Sequence, residues 1–146
     1  MDISIYNEKK IKSDLYSSKD KIKKIKKFEL TGNIWAYCYK VIDGDSIKVC
    51  FYIQDELYKY SFRLAGIDTP ELRSKNLKEK EFAKKVKKYL KLMIETKFIY
   101  LKLQKFDKYG RILADVYYND ELINELLVTK GYAHTYSGGT KQKWFD

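Results

Sequence analysis

"IWAYCYKVIDGDSIKVCFYI", Ile34–Ile53, sets the architecture of this chain. Side chains alternate along its first half, Trp35, Tyr37, Tyr39 and Val41 on one side and Ile34, Ala36, Cys38 and Lys40 on the other. Alternation with a period of two belongs to a strand, whose successive side chains leave opposite faces. Asp43 and Gly44 supply a turn, and the alternation resumes through Ile47, Val49, Phe51 and Ile53. The stretch predicts a β-hairpin.

Reading onward, a turn near "QDE" leads into "LYKYSFRL", where Tyr58, Tyr60, Phe62 and Leu64 share one face and Arg63 points to the other. The pattern then becomes helical, with Phe82, Val86, Tyr89, Leu90 and Met93 on one stripe and lysines opposite. Two further strands, "KFIYLKLQKF" and "ILADVYY", flank "DKYG", and a short second helix, "ELINELLVTK", ends at Gly131, a residue type suited to the positive φ of a helix stop. The order β-β-β-α-β-β-α predicts a mainly β fold with helices, a five-stranded OB-fold barrel with a helix inserted after the third strand and a short C-terminal helix.

The 146 residues suit one compact unit, and the excess of 30 Lys+Arg over 20 Asp+Glu favours polyanionic partners, nucleic acid first. The excess is concentrated at the start. Residues 1–28 form a lysine-rich arm, with nine lysines against four acidic residues in the first 27 positions, and residues 29–146 form the predicted OB-fold domain. Ile22, Ile25 and Phe28 offer a narrow helical stripe, but a charge run of this kind is expected to stay solvated. No apolar run is long enough to span a bilayer and Met1–Lys12 has no apolar signal core, so an intracellular monomer without a membrane partner is expected. Cys38 and Cys50 have no metal-site spacing and read as buried, reduced thiols, and His134 reads as structural.

Chemistry gathers in "RLAGIDTPEL", Arg63–Leu72, which holds the only proline of the chain. Pro70 fixes its own φ and biases Thr69 toward an extended conformation, which holds Asp68 and Glu71 on either side. If strand three curls back at its end, Asp68, Thr69 and Glu71 meet Asp45 at the hairpin tip. Oxygen donors without a His/Cys cluster suit Ca²⁺ or Mg²⁺ and argue against zinc. A solvated loop is the plain alternative. Arginine usage tips the balance, because 27 of the 30 basic residues are lysine and the three exceptions are Arg63, Arg73 and Arg111. A planar guanidinium makes paired hydrogen bonds to phosphate that lysine cannot reproduce. A cation on carboxylates with two arginines is the equipment of phosphoryl transfer.

"VIDGDSIKV", "FRLAGIDTPEL", "EFAKKVKKYL", "DKYGRILADVY" and "LINELLVTKGYA" together resemble the successive motifs of the staphylococcal nuclease (thermonuclease) family, over roughly residues 33–136. The resemblance implies an OB-fold barrel and a Ca²⁺-dependent phosphodiesterase acting on DNA and RNA and leaving 3′-phosphate ends. By position it implies that Asp45 and Asp68 are direct Ca²⁺ ligands, that Thr69 offers its carbonyl, and that Glu71 is the general base. It further implies that Arg63 and Arg111 bind the scissile phosphate, that Lys108 and Tyr109 contact nucleotide phosphate, and that Tyr136 lies beside the base. Arg73 receives no role. After "GYAHTY" the chain departs from the family, ending in "SGGTKQKWFD" where longer members continue into a third helix. Two other readings compete: a catalytically inactive OB-fold nucleic-acid-binding module, and a Ca²⁺-binding interaction module, which has no need of two arginines.

Overall fold

The structure, a computed structural model, describes residues 8–146. Residues 1–7 of the basic arm lie outside the described residues. The charge run, expected to be solvated or disordered, is helical over Glu8–Ser18 (α1) with a 3₁₀ turn over Lys19–Lys24, and its described side chains are exposed. Glu8 and Lys12, and Lys10 and Asp14, form ion pairs four residues apart along α1, a spacing that supports a helix by a few tenths of a kcal/mol per pair, about 0.2–0.5. Ile22 and Ile25 remain exposed rather than forming an inward stripe. Phe28 alone reaches the barrel's aromatics, its ring 6.1 Å from that of Phe106.

The predicted hairpin forms from β1, Gly32–Val41, and β2, Ser46–Ile53, and β3, Glu56–Leu64, pairs antiparallel with β2. A two-residue strand β4, Ile67–Asp68, follows, and then helix α2, Leu77–Ile94. Strands β5, Lys97–Phe106, and β6, Ile112–Tyr118, come next. A short β7, Glu121–Leu122, opens helix α3, Ile123–Thr129, and β8, His134–Thr135, pairs back onto β4. The sheet order is β3-β2-β1-β5-β6-β7, and parallel pairing of β3 with β6, Phe62 opposite Ile112 and Leu64 opposite Ala114, closes five strands into a barrel. Closure removes both sheet edges. The architecture is the OB-fold barrel.

A register shift between Cys38 and Lys40 decides which face of β1 is core. The extra residue, Tyr39, puts Val41 on the same buried side as Ala36 and Cys38, and leaves Trp35 70% exposed. Phe62, Ile47, Leu64, Ile99, Leu101 and Ile112 fill the interior, each side chain burying enough apolar surface to contribute about 1.5–3 kcal/mol. Cys38 is buried, whereas Cys50 is only half-buried, a correction to the expectation of two buried thiols, because Cys50 lies on the outer side of β2. Both thiols are free.

Helix α2 packs the predicted stripe against the barrel, Val86 and Leu90 fully buried with Ala83 and Ile94, and Phe82, Tyr89 and Met93 half-buried beside them. Asn76 caps its start, its Oδ1 accepting from the backbone N–H of Lys78 (3.0 Å) and Glu79 (3.2 Å). Phe82 also receives the C-terminal tail, with ring contacts to Trp144 at 5.6 Å and Phe145 at 6.0 Å. His134 stacks flat on Trp144 at 3.7 Å, the structural role expected of it. The second helix starts two residues later than its sequence suggests. Asn119 and Asp120 take left-handed φ values of 50° and 63° and turn the chain tightly, so Glu121 and Leu122 pair with β6 before α3 begins. Its end is as predicted, with Gly131 at φ 75°.

Candidate active site

Asp45 sits where the β1–β2 turn enters β2, and Asp68 sits in β4 just past the end of β3. The barrel brings them together. The Leu64 N–H donates to the Asp45 carbonyl at 2.9 Å, which draws the end of β3 onto the hairpin tip. Gly44 makes the approach possible: a Cβ there would lie 2.7 Å from Val86 Cγ1 and 2.9 Å from both Cβ and Oγ1 of Thr69. The turn therefore lies in direct contact with buried Thr69 and with α2.

Arg63 projects from β3 between the two carboxylates. Its Nη2 donates to Asp45 Oδ2 at 3.1 Å and lies 3.9 Å from Asp68 Oδ1. Arg111 approaches from the other side. Its Nη1 donates to Ser46 Oγ at 2.8 Å, and that hydroxyl stands 3.3 Å from Asp45 Oδ1, to which it donates. Both arginines are thus tied to opposite oxygens of one carboxylate, Arg63 directly and Arg111 through Ser46. Burial pushes the Asp45 carboxyl up to about 7 against the pull of Arg63, and Asp43 and Asp68 add to the rise.

The "DKYGR" turn explains how Arg111 is aimed. Asp107 accepts from the backbone N–H of Tyr109 (2.8 Å) and Arg111 (2.9 Å) with one oxygen, and from Arg111 Nε (2.7 Å) with the other. Desolvation raises the Asp107 pKa, but these N–H donors and the guanidinium outweigh it and hold the carboxyl below its ordinary value. Gly110, at φ 80°, lets the turn close in a conformation that a Cβ would strain. Lys108 and Tyr109 ride on the same turn, exposed, with Lys108 Nζ 5.2 Å and Arg111 Cζ 5.5 Å from the Tyr109 ring centre.

Glu71 is held by its backbone. Its N–H donates to Glu79 Oε1 at 3.1 Å, and Glu79 Oε2 accepts from Ser74 Oγ at 2.7 Å, which staples the acidic loop to the first turn of α2. The Glu71 side chain stays 59% exposed and points toward the tail. There Lys141 Nζ lies 2.9 Å from Asp68 Oδ1 and 3.2 Å from Glu71 Oε1. Desolvation lowers the Lys141 pKa, yet Asp68 and Glu71 prevail and raise it. Tyr136 belongs to the same corner: its N–H donates to the Gly66 carbonyl (2.8 Å), its hydroxyl to the Gly139 carbonyl (2.9 Å), and Lys141 Nζ stands 5.8 Å from its ring centre.

The structure thus assembles Asp45, Arg63, Asp68, Thr69, Glu71 and Arg111 at one end of the barrel, with Lys108 and Tyr109 on one rim and Tyr136 on the other. Arg73 is exposed on the loop after Glu71. Ser46, Glu79, Asp107 and Lys141 join the site without having been singled out in the sequence. Among the described residues, no group of three or more His, Cys, Asp or Glu has the arrangement of a metal cage. Asp68 Oδ1 nevertheless fits a cation: it is buried and accepts no hydrogen bond of ordinary geometry, and the positive charge nearest to it is the Lys141 ammonium. Two carboxylates suit a hard cation that completes its shell with carbonyl oxygen and water.

A family model described as staphylococcal nuclease homologue matches residues 61–144, which include Arg63, Asp68, Glu71, Arg111 and Lys141. The chain is 35% identical to a thermonuclease of Staphylococcus intermedius over 96 residues, 64% of this chain and 55% of that protein. It is 32% identical to a thermonuclease of Staphylococcus hyicus over 96 residues, again 64% of this chain and 54% of the relative. A staphylococcal-like nuclease of Arabidopsis thaliana is 28% identical over 112 residues, 73% of this chain and 33% of the plant protein. The chain therefore spans from a third to just over half of the length of these relatives. With the family model matching more than half of the chain, this protein belongs to the staphylococcal nuclease homologue family.

Proposed function

We propose that the chain is a Ca²⁺-dependent nuclease that hydrolyses phosphodiester bonds in DNA and RNA on the 5′-oxygen side and leaves 3′-phosphate ends. The observation that carries this reading is the placement of two guanidinium groups on opposite oxygens of Asp45, one direct and one through Ser46. A phosphate seated between Arg63 and Arg111 would find paired donors on both sides, which lysines could not supply.

Asp45 and Asp68, with the Thr69 carbonyl, would hold Ca²⁺, and the cation when bound supplies charge neutralisation at a nonbridging phosphate oxygen. Glu71, on a stapled backbone with an accessible carboxylate, would orient and deprotonate the attacking water. Arg63 and Arg111 would take up the charge that grows on the equatorial oxygens during in-line displacement. Lys108 and Tyr109 would contact the neighbouring phosphate, and Tyr136 would flank the base. The test is cleavage of plasmid DNA with Ca²⁺ and its loss with chelator. Binding without cleavage would instead favour an inactive nucleic-acid-binding module.

A further inference from the structure

A concave surface of about 540 Å³ lies on the outer face of β1, β5 and β6, and its lining includes Trp35, Phe98, Tyr100, Lys102, Tyr117 and Asp120. Register gathers the rings: Tyr100 stands opposite Trp35 on β1 and opposite Tyr117 on β6, and Phe98 stands opposite Tyr37. Buried Ala36, Ile99, Leu101 and Val116 take the inward phase, so these aromatics face outward. Ring centres lie 5.1 Å apart for Trp35 and Tyr100, 5.3 Å for Tyr37 and Phe98, and 6.4 Å for Tyr100 and Tyr117. Trp35 and Phe98 are nonetheless 70% and 71% exposed. A contiguous aromatic surface of this kind marks a binding face. None of its residues belongs to the proposed catalytic set, and Tyr117 lies six residues beyond Arg111, about 20 Å of extended chain.

Charge identifies the occupant. On a chain with a net charge of +10, this lining carries one cation, Lys102, and one anion, Asp120. A polyanion gains little from so balanced a surface, whereas a second copy of this basic chain is repelled elsewhere and not here. The two charges also lie at opposite ends of the aromatic row. Lys102 is two residues past Tyr100 on β5, and Asp120 follows the end of β6, on the Phe98 side. Asp115, opposite Lys102 in register, is held by Gln104 at 2.9 Å and lies outside the lining. We propose that this face pairs two copies of the chain about a two-fold axis that runs across the strands through Trp35, Tyr100 and Tyr117. That axis lays each aromatic row on its counterpart and sets Lys102 of one copy over Asp120 of the other, an isologous contact. Pairing leaves the Arg63 and Arg111 end of each barrel open and replaces the monomer expected from the sequence. Five rings on three strands fall short of the roughly 800 Å² per partner of a standard interface, so the dimer is weak and needs concentrated protein.

The test is sedimentation velocity of the whole chain from micromolar to millimolar concentration, in salt of about 0.15 M, where charges more than about 8 Å apart are screened. Wild type should move from the 17.4 kDa monomer toward the dimer as concentration rises. Trp35→Ser with Phe98→Ser, both exposed positions, should weaken pairing by more than about tenfold, the scale of a buried aromatic anchor. Lys102→Glu and Asp120→Lys each set like charges face to face at two places and should weaken it about three- to tenfold. Combined in one chain they exchange the charges and should restore pairing. Melting temperature verifies folding, and no step needs cleavage, so failure of the nuclease reading leaves this result intact. A wild type that stays monomeric at millimolar concentration would overturn the proposal, and so would pairing indifferent to the loss of both rings in a folded variant. Single charge variants that their combination fails to rescue would reject the two-fold placement. A monomer whose face instead takes an oligothymidylate, with Trp35→Ser removing that binding, would give the face to nucleic acid and reject the second copy.

Discussion

Lys141 places its ammonium 2.9 Å from Asp68, a carboxylate that the proposed mechanism gives to the metal. The tail reaches this point through Gly138 and Gly139, with φ of 108° and 81°, and is anchored beyond it by Trp144 on His134 and Phe82. An ammonium and a divalent cation compete for the same negative charge. Lys141→Met should therefore tighten Ca²⁺ binding about two- to fivefold, the scale of a half-exposed ion pair, as read by titration calorimetry without substrate. Unchanged or weaker Ca²⁺ affinity would mean that Lys141 and the cation do not share Asp68.

The Glu71 N–H staples the loop to Glu79, while its carboxylate pairs with the half-exposed Lys141 of the tail, so changing the carboxylate leaves the staple to α2 in place. Glu71→Gln keeps shape and hydrogen bonding but removes basicity, and turnover should fall by about two to four orders of magnitude with affinity for substrate nearly unchanged. Rapid-quench turnover with melting temperature as a control checks this. Near-normal turnover would remove Glu71 from proton transfer.

Asp107 touches no reacting atom in the proposed mechanism and acts by aiming Arg111. Asp107→Asn keeps an acceptor for the backbone N–H groups but loses the ionic hold on Arg111 Nε, so kcat should fall more than KM rises. The pH dependence has a definite sign. A carboxyl whose folded pKa is depressed stabilises the fold above its unfolded pKa, near 3.9, and that contribution is lost as pH falls through the lower folded value. Acid unfolding of wild type and Asp107→Asn should therefore converge at the lowest pH and diverge above about pH 4. Parallel curves across that range would contradict the assignment.

Much of this fold is legible before any coordinates. The stripe Phe82–Met93 specifies α2 because a period near 3.6 sustained over these three turns has one solution. Alternation fixes the strands but not which face of β1 is core, since one inserted residue at Tyr39 reverses the phase. "ELINELLVTK" reads as helix throughout, yet its first two residues join β6 because of a turn two residues upstream. Asp45, Arg63, Asp68, Glu71 and Arg111 stand out by residue type. Ser46 and Asp107 do not, for a hydroxyl and an acid in a turn are commonplace, although "DKYG" carries the signature of an Asx turn. Lys141 gives no signal at all. Its place depends on a glycine reversal and a docked tryptophan, neither of which is written at position 141.

Gly44 is a packing requirement at the site. Gly44→Ala would force its new methyl into Val86 and Thr69 at 2.7–2.9 Å, contacts that require α2 or the Thr69 segment to move. Overpacking of this kind costs about 1–3 kcal/mol. Thermal unfolding should show that loss together with weaker Ca²⁺ binding, because the displaced Thr69 adjoins Asp68. A variant as stable as wild type would show that the turn has slack.

In the proposed mechanism Arg63 and Arg111, set on opposite oxygens of Asp45, grip the phosphate in its transition state. The most direct measurement is kcat/KM for single-strand cleavage in Ca²⁺ by wild type, Arg63→Lys and Arg111→Lys, with folding verified. Each substitution keeps the charge and loses the fork, so each should cost about 2–4 kcal/mol of transition-state stabilisation, roughly thirty- to a thousandfold. Losses of less than about threefold at both positions would make the arginines mere salt-bridge partners of Asp45 and Asp107 and would contradict the account.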